Sequence, residues 1–400
     1  MKILHTADWH IGKQLHKVDL SDDLELFFDW LIDTIAKEDI DLLLVSGDVF
    51  DQANPSQASL KQYYGFLKRM LAIDCKIILT GGNHDSASVL NAPKEILEFL
   101  NIDVIGGAPE DINDLFIKYT KKDEQVVIAA VPFLRDKDIR NAAAGESYSD
   151  KIEQIREGIT SYFSNVNSHY MQHYPGLCFI VMGHLYVQGS TLSESERDIQ
   201  IGNQAGVEAE MFGEIPHYVA LGHIHKPQVI SKAANIHYCG SPIPLSFSER
   251  EDCKQVNILT LENNRLKNLE ILPIPNFRNL VTFEGNLEEV MDKINNYSST
   301  SILKSLAEVV VNEEEESLAK KMVFEDFINS RPNPDIEIVK TRLNFKNRIQ
   351  GATDVFSTET DVTDVTPMEM FEKRLELETD LEDKEELILA FQEILEELKL

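Results

Sequence analysis

Five short polar motifs, each directly after a run of apolar residues, restrict the fold of this chain more than any other feature. They are Asp8-x-His10, Gly47-Asp48-Val-Phe-Asp51, Gly82-Asn83-His84-Asp85, Gly183-His184 and Gly222-His223-Ile-His225. Each apolar run is a predicted strand, and loops after strand ends converge at one edge of a layered α/β sheet. One such motif alone is weak evidence, but five in this order predict a single shared site.

The first motif follows the predicted strand Lys2–Thr6 after one intervening residue. Residues two apart on a strand point to the same face, so Asp8 and His10 are predicted to face the same way. A glycine beside the motif residues is expected wherever the backbone must turn sharply after a strand. The pattern therefore indicates side chains directed together from the ends of neighbouring strands.

Strands and amphipathic helices alternate up to about residue 272. The predicted strands are Lys2–Thr6, Leu42–Ser46, Lys76–Leu79, Val126–Val131, Leu177–Met182, Tyr218–Leu221 and Asn257–Thr260. The predicted helices are Leu24–Lys37, Ser56–Met70 and Ala92–Leu100. This alternation predicts an α/β layered domain with mixed sheets over residues 1–272.

A proline-rich break, Leu272-Pro-Ile-Pro275, predicts a domain boundary. The pattern of residues 273–345 predicts a small α+β domain, and the polar residues 346–366 a linker. Residues 367–400 are predicted to be helical. One apolar stripe on this acidic segment consists of Leu387, Phe391, Ile394, Leu395 and Leu398. Such a helix packs on its own domain or docks on a partner, and the residues alone leave both open.

The net charge of −30 argues against a protein that wraps nucleic acid through its overall field. Residues 351–400 alone hold 16 acidic and 4 basic side chains. Contact with nucleic acid must therefore rely on local basic residues, bound cations or a partner. The four cysteines lack metal or redox spacing, so reduced thiols and a cytoplasmic location are expected. No apolar run approaches the roughly 20 residues of a membrane span.

The residue types in the motifs suit a pair of divalent transition metals. Imidazole and carboxylate ligands together favour Mn, Fe or Zn, and the absence of cysteine argues against a thiolate site. Two such ions about 3.5–4 Å apart clamp a phosphate, activate a bound water and stabilise the leaving oxygen. Asp48 is the natural bridging ligand, and a phosphoester is the substrate class that best uses such a centre.

These motifs resemble those of the calcineurin-like metallophosphoesterase superfamily. Three longer stretches resemble the SbcD family, the nuclease subunits of bacterial SbcCD complexes. They are Val181-Met-Gly-His-Leu185, Val219-Ala-Leu-Gly-His-Ile-His-Lys-Pro-Gln228 and Tyr238-Cys-Gly-Ser-Pro-Ile-Pro-Leu-Ser-Phe247. The resemblance implies a four-layer domain, two mixed sheets flanked by helices, followed by an α+β capping domain and C-terminal helices.

The resemblance also implies the roles of the motif residues. One metal, usually Mn²⁺, would be held by Asp8, His10, Asp48 and His225. The other would be held by Asp48, Asn83, His184 and His223. In this scheme His84 is a general acid or transition-state stabiliser, and Asp85 orients it.

The implied activity is ATP-dependent 3′→5′ exonuclease cleavage of double-stranded ends, with endonuclease cleavage of hairpins, in DNA repair, recombination and replication. The implied partner is an SbcC-type ATPase, whose coiled coil would receive the C-terminal helices. A homodimer within a heterotetramer is also implied, formed through helices near residues 56–70 and 92–100. The alternatives are a stand-alone phosphodiesterase for small molecules and a non-catalytic scaffold. The scaffold is disfavoured because no ligand position is missing.

Three further residues are candidates for contact with the DNA backbone. Lys13 and His16 follow the first motif on a loop, and Lys226 follows the last motif. The alternative for each is an ordinary solvated side chain. His5 lies within the first predicted strand, where packing in the core is expected instead.

Overall fold

Two mixed six-stranded sheets dominate the computed structural model, which describes residues 1–140, 148–193, 196, 206–315, 317–330 and 333–347. The elements up to residue 105 are β1 (Lys2–Thr6), β2 (Gln14–Leu15), β3 (Val18–Asp19), α1 (Ser21–Glu38), β4 (Leu42–Ser46), α2 (Gln57–Met70), β5 (Lys76–Thr80), α3 (Ala87–Asn91), α4 (Lys94–Phe99) and β6 (Ile102–Ile105). Those up to residue 273 are β7 (Phe116–Lys121), β8 (Glu124–Ala130), α5 (Asp136–Ile139), α6 (Tyr148–His173), β9 (Cys178–His184), β10 (Tyr218–Gly222), β11 (Gln228–Ser231), β12 (Ile236–Tyr238), β13 (Gln255–Glu262) and β14 (Arg265–Pro273). Three 3₁₀ turns join them, at Ile112–Leu115, Ala209–Phe212 and Phe247–Glu249.

The first sheet has the strand order β14-β13-β1-β4-β5-β6, and the second the order β11-β12-β10-β9-β8-β7. Strands β1, β4, β5 and β6 run parallel, and β13 pairs antiparallel with β1. In the second sheet β8, β9, β10 and β12 run parallel. Within each sheet, the parallel strands that precede the motifs therefore end at the same edge.

Strand β4 shows why these strands read as unbroken apolar runs. Its Leu42 and Leu44 pack in the core between the sheets, whereas Leu43 and Val45 pack against α1 and α2 on the other face. A strand that is covered on both faces has no solvent-exposed face, so its sequence is continuously apolar and does not alternate with polar residues. On the second sheet α6 supplies the outer cover, where Tyr170 stacks on Phe179 at a centroid distance of 4.1 Å. The layers are helix, sheet, sheet and helix, which confirms the predicted fold class.

The chain divides into two compact units. The first comprises Met1–Phe283, Lys293–Val309 and Arg331–Thr341, and the second comprises Glu284–Asp292, Val310–Ser330 and the residues from Arg342 onward. The later elements are β15 (Leu280–Gly285), α7 (Leu287–Asn295), β16 (Ser305–Glu315), α8 (Leu318–Asn329) and β17 (Ile336–Asn347). The boundaries predicted at residues 272 and 345 stay predictions. Most of the predicted linker and all of the C-terminal helices lie outside the described residues.

The helix predicted over Ala92–Leu100 is wrong in detail, because two short helices, α3 and α4, occupy residues 87–99. Pro93 stands between them as the N-cap of α4, where its missing N–H costs no helical hydrogen bond. The long helix α6 and the strands β6, β7, β11, β12 and β14 were not predicted. None of the helices in the described part of the chain has the length and apolarity to cross a membrane.

The two sheets approach each other closely at Gly222, the last residue of β10. A Cβ added there would lie 1.8 Å from the carbonyl oxygen of Ser46 in β4. Because the Ser46 oxygen belongs to a strand backbone and cannot rotate away from the added Cβ, we expect Gly222→Ala to lower the free energy of unfolding by about 3 kcal/mol. Gly65 within α2 is the matched control, since its added Cβ would meet nothing within 4 Å.

Gly65→Ala is expected to raise the free energy of unfolding by about 0.5–1 kcal/mol, by restricting the unfolded chain. Urea denaturation followed by circular dichroism measures both variants. A Gly222→Ala protein as stable as the parent would show that the sheets separate readily at this point.

Candidate metal centre

The loops after β1, β4, β5, β9 and β10 bring the five motifs together. The explanation offered for the first motif is wrong: β1 ends at Thr6, and Asp8 and His10 lie beyond it with left-handed φ angles of 53° and 47°. Backbone hydrogen bonds hold this loop instead. The N–H of Asp8 donates to the Gly47 carbonyl at 3.2 Å, and that of His10 to the Asp48 carbonyl at 2.9 Å. The first two motifs are thus joined through their main chains.

Asp48 lies between two groups of side chains. Its Oδ2 is 3.5 Å from Nε2 of His10 and 3.3 Å from Nε2 of His184. On the first side, Nε2 of His10 is 3.1 Å from Nε2 of His225. All four side chains are buried. One carboxylate oxygen therefore faces ring nitrogens from both groups, as a bridging ligand must.

The second group adds the Asn83 amide and His223. The Asn83 Oδ1 lies 2.9 Å from Nε2 of His184 and 3.0 Å from Nδ1 of His223. Asp8 contacts this group through the main chain, because its Oδ1 accepts the N–H of His223 at 2.8 Å. All seven predicted metal ligands therefore lie in one cluster.

The arrangement fits divalent ions by two tests. Ligand atoms about 2.1 Å from one ion and at right angles to each other stand about 3.0 Å apart, close to the separations seen here. Moreover, Asp8 Oδ2 and His223 Nε2 are buried and have no hydrogen-bond partner in the described part of the chain. Buried polar atoms without partners are costly unless an ion or water satisfies them. The donor set of imidazole, carboxylate and amide oxygen suits Mn, Fe or Zn.

The pKa shifts within the cluster go in both directions. Burial alone would lower the pKa of His184, but the facing Asp48 carboxylate outweighs it and raises that pKa to about 9. Burial lowers the pKa of His10 to about 4 and that of His223 well below its ordinary value. Both rings are therefore neutral near pH 7, the form that binds metals. Burial alone would raise the pKa of Asp48, but the facing His184 outweighs it and holds the pKa well below the usual range. The central carboxylate is therefore ionised.

His84 lies at the mouth of this cluster. Its Nδ1 is 2.8 Å from the carbonyl oxygen of Asp51, and its backbone N–H donates to Asp48 Oδ1 at 2.9 Å. Its ring centroid is 4.8 Å from that of His10. With Nδ1 engaged by a carbonyl, Nε2 is the ring nitrogen left to act on a substrate. His84 also groups with His10 and Asp48 as a possible metal ligand, so its role as an acid stays a prediction.

Asp85 is buried, and its predicted role of orienting His84 stays a prediction. Its carboxylate accepts backbone N–H groups from Val49 at 3.0 Å, Phe50 at 2.9 Å and Gly82 at 2.9 Å. Among the described residues, its carboxylate accepts no hydrogen bond from the ring of His84. Its side chain therefore ties the second motif to the third, and the Asp51 carbonyl is the group that contacts the ring of His84.

The three candidate DNA contacts occupy different settings. Lys13 lies at the cluster, with its Nζ 3.1 Å from Asp51 Oδ1. His16 is exposed, and its ring centroid is 5.8 Å from that of Phe247. Lys226 is exposed and 3.9 Å from the Asp252 carboxylate. Their roles stay predictions. His5 is fully buried against Tyr218, as expected for a packed residue.

Several residues behind the cluster were not assigned roles from the sequence. The Asp51 carboxylate contacts Nδ1 of His10 at 3.2 Å, and its place inside the second motif was the available signal. Glu249 and Lys254 are buried next to His225 and form an ion pair of 2.7 Å. The sequence signal for these two residues is weaker. They are charged residues that follow the Tyr238–Phe247 stretch and precede a strand.

Known proteins resemble this chain in sequence. A family model described as calcineurin-like phosphoesterase matches residues 1–227. The SbcD subunit of the nuclease SbcCD from Escherichia coli K12 is 33% identical over 313 residues, which cover 75% of each chain. The SbcD protein of Staphylococcus epidermidis is 30% identical over 305 residues, or 73% of this chain and 75% of the relative. That of Bacillus subtilis is 31% identical over 271 residues, or 65% of this chain and 66% of the relative.

Proposed function

This chain belongs to the calcineurin-like phosphoesterase family and, within it, to the SbcD nuclease subunits, and from that membership we propose that it cleaves DNA with two metal ions as part of an SbcCD-type complex. As a member it is a metal-dependent hydrolase of phosphodiester bonds. The observation that carries the proposal is the position of Asp48 Oδ2, between His10 Nε2 at 3.5 Å and His184 Nε2 at 3.3 Å.

The proposed ligand sets are those that the family resemblance implies, and they assign Asp8 to the first ion although its Oδ1 accepts the N–H of His223 in the second group. Asp8, His10, Asp48 and His225 hold one ion. Asp48, Asn83, His184 and His223 hold the other. Mn²⁺ is the proposed metal for both sites, since imidazole, carboxylate and amide ligands suit it.

When bound, the two ions clamp the phosphate and lower the pKa of the attacking water. The protein's own part is to position the groups around the reacting atoms. His84, anchored at Nδ1 by the Asp51 carbonyl, presents Nε2 to the leaving oxygen as a proton donor. Asp85 holds the backbone of the loops that carry Asp48 and His84. The Asp85 carboxylate therefore supports both the loop of the proposed acid and the loop of the proposed bridging ligand.

The proposed activities are 3′→5′ exonuclease cleavage of duplex ends and endonuclease cleavage of hairpins, both dependent on ATP, in repair, recombination and replication. The test is Mn²⁺-dependent cleavage of a labelled hairpin and a linear duplex by the protein alone, then with the SbcC-type ATPase and ATP. Weak cutting that rises sharply with the partner and ATP is expected. Strong turnover of bis-p-nitrophenyl phosphate without DNA cleavage in either condition would identify a small-molecule phosphodiesterase instead.

The proposed docking element for the coiled coil of the ATPase is the C-terminal segment, residues 367–400, which lies outside the described residues. Its apolar stripe on an acidic background supports docking on a partner. Deleting residues 367–400 is expected to abolish ATP-stimulated cleavage while leaving the weak intrinsic activity intact. Co-purification with the ATPase and rates with and without ATP measure the effect.

A matched pair of point variants separates docking from a general effect of truncation. Leu395→Glu introduces a charge into the stripe and is expected to reproduce the loss. Gln392→Glu introduces the same charge one residue after Phe391, off the stripe, and is expected to retain stimulation. If the deleted protein is stimulated as strongly as the parent, the docking proposal fails.

The proposed homodimer forms through α2 and α4. These helices and the residues that follow them expose large apolar side chains, which are Tyr64, Leu71, Ile96, Phe99 and Leu100. Exposed apolar side chains that cluster on a monomer mark interaction surfaces. Sedimentation equilibrium of the isolated protein tests this proposal, with Phe99→Glu expected to favour the monomer.

A further inference from the structure

A buried ion pair lies directly behind the proposed metal ligand His225. Glu249 and Lys254 are separated by 2.7 Å between Oε2 and Nζ, and both side chains are buried. The same ammonium donates to the carbonyl oxygen of His225 at 3.0 Å. On the other side, Oε1 of Glu249 is 3.6 Å from Nδ1 of His225. The pair therefore contacts this histidine at both its main chain and its ring.

The position of Glu249 is fixed by hydrogen bonds from the turn that contains it. Its Oε2 accepts the N–H of Leu245 at 3.1 Å and the hydroxyl of Ser241 at 3.3 Å. Its Oε1 accepts the hydroxyl of Ser246 at 3.1 Å. A buried carboxylate is costly unless it is both paired and hydrogen-bonded. The turn supplies these contacts and holds one oxygen at the ring of His225.

A metal-bound histidine usually donates its second ring N–H to a carboxylate, which fixes the tautomer and the ring orientation. The two nitrogens of His225 match this pattern. Nδ1 faces Glu249, and Nε2 lies 3.1 Å from Nε2 of His10 at the cluster. At 3.6 Å the two atoms are within ion-pair range but farther apart than in an N–H···O hydrogen bond.

We propose that Glu249, held in place by Lys254, is the positioning residue of His225: its carboxylate accepts a hydrogen bond from the Nδ1–H group and keeps Nε2 directed at the metal. The inference rests on the proposed ligand set, because it assigns His225 to one of the two ions. It assigns no step of catalysis to Glu249. What it predicts is a difference between the two metal sites, since the ion held by Asn83, His184 and His223 does not share this support.

A second carboxylate, that of Glu196, also stands 3.6 Å from Nδ1 of His225. Its two oxygens accept backbone N–H groups, Oε1 from His225 and Oε2 from Ser193. Such contacts fix the main chain whichever tautomer the ring adopts. Glu249 differs in that the donors to its Oε1 are hydroxyls, which can rotate to accommodate a ring N–H. Glu196→Gln is therefore the matched comparison.

The experiment measures Mn²⁺ binding by titration calorimetry and the His225 tautomer by ¹⁵N NMR of the metal-free protein labelled at histidine. In Glu249→Gln we expect the affinity of one of the two sites to fall 10- to 100-fold while the other is unchanged. We also expect the proton of His225 to redistribute from Nδ1 toward Nε2. A variant that is only less stable would not show this change in the tautomer of His225.

Two further variants test whether unfolding, instead of a misplaced His225, explains a loss of Mn²⁺ affinity. Glu249→Gln with Lys254→Met removes both charges together, which buried pairs tolerate better than the loss of one partner. It is expected to show the same single-site loss. Asp23→Asn breaks a different buried pair, in which Asp23 accepts from Arg278 at 2.8 Å, and is expected to lower stability without altering either metal affinity.

The outcomes separate this inference from the proposed function. Two Mn²⁺ sites in the parent, with affinities and tautomer unchanged in both Glu249 variants, would overturn the inference alone. Loss of one site in Glu196→Gln but not in Glu249→Gln would also overturn it. A parent protein that binds no Mn²⁺ would overturn the proposed function, and this inference with it.

Discussion

Asp48→Asn is expected to reduce phosphodiester hydrolysis by about 10³-fold or more and to lose most of the bound Mn²⁺. The cause is the position of Asp48 Oδ2, which faces His10 at 3.5 Å and His184 at 3.3 Å. A neutral amide at this point bridges two cations poorly. Asparagine keeps the shape of the side chain, and its amide oxygen can still accept the N–H of His84.

The measurements are the Mn²⁺ content after gel filtration and the rate on bis-p-nitrophenyl phosphate. Asp103→Asn is the matched control, because Asp103 lies on β6 and pairs with Lys76 at 2.7 Å, not with a motif residue. The control is expected to keep both the metal and the activity. Unchanged Mn²⁺ stoichiometry in Asp48→Asn would refute Asp48 as the bridging ligand.

The sequence predicted the strands that build the site better than it predicted their surroundings. Strands β1 and β4 match their predicted bounds, because a short apolar run ending in a motif is a local signal. The helix α6 was not predicted, although it covers the second sheet. Its buried residues Ile155, Ile159, Phe163, Val166 and Tyr170 recur at helical spacing, so a local signal for this helix was present in the sequence. Tertiary packing, more than local propensity, stabilises such a helix.

The seven residues predicted to bind metal were found together in one cluster, but the reasons for their positions were not identified from the sequence. Asp8 and His10 do not share the face of a strand; they adopt left-handed backbone angles that hydrogen bonds to Gly47 and Asp48 maintain. Asp85 was expected to orient His84, and its carboxylate accepts three backbone N–H groups from the loops around it. Motifs identify which side chains carry the chemistry. The contacts that position these side chains join distant parts of the chain, so they cannot be inferred from the spacing of residues within a motif.

His84→Gln is expected to lower the rate of DNA cleavage by 10²- to 10⁴-fold while both Mn²⁺ ions remain bound. The Asp51 carbonyl anchors the ring at 2.8 Å, and the proposed mechanism uses the other ring nitrogen to protonate the leaving oxygen. Glutamine fills similar space and donates a hydrogen bond but cannot transfer a proton. The rates are measured on a hairpin DNA in the presence of the partner ATPase and ATP.

The leaving group separates the two roles open to His84. p-Nitrophenolate departs without protonation, so a general acid predicts a much smaller loss on bis-p-nitrophenyl phosphate than on DNA. A residue that only stabilises the charge of the transition state predicts similar losses on both. His173→Gln, at an exposed position on α6, is the control and is expected to leave both rates unchanged. A His84→Gln protein that cleaves DNA as fast as the parent removes His84 from the mechanism, and one that loses bound Mn²⁺ makes it a ligand instead.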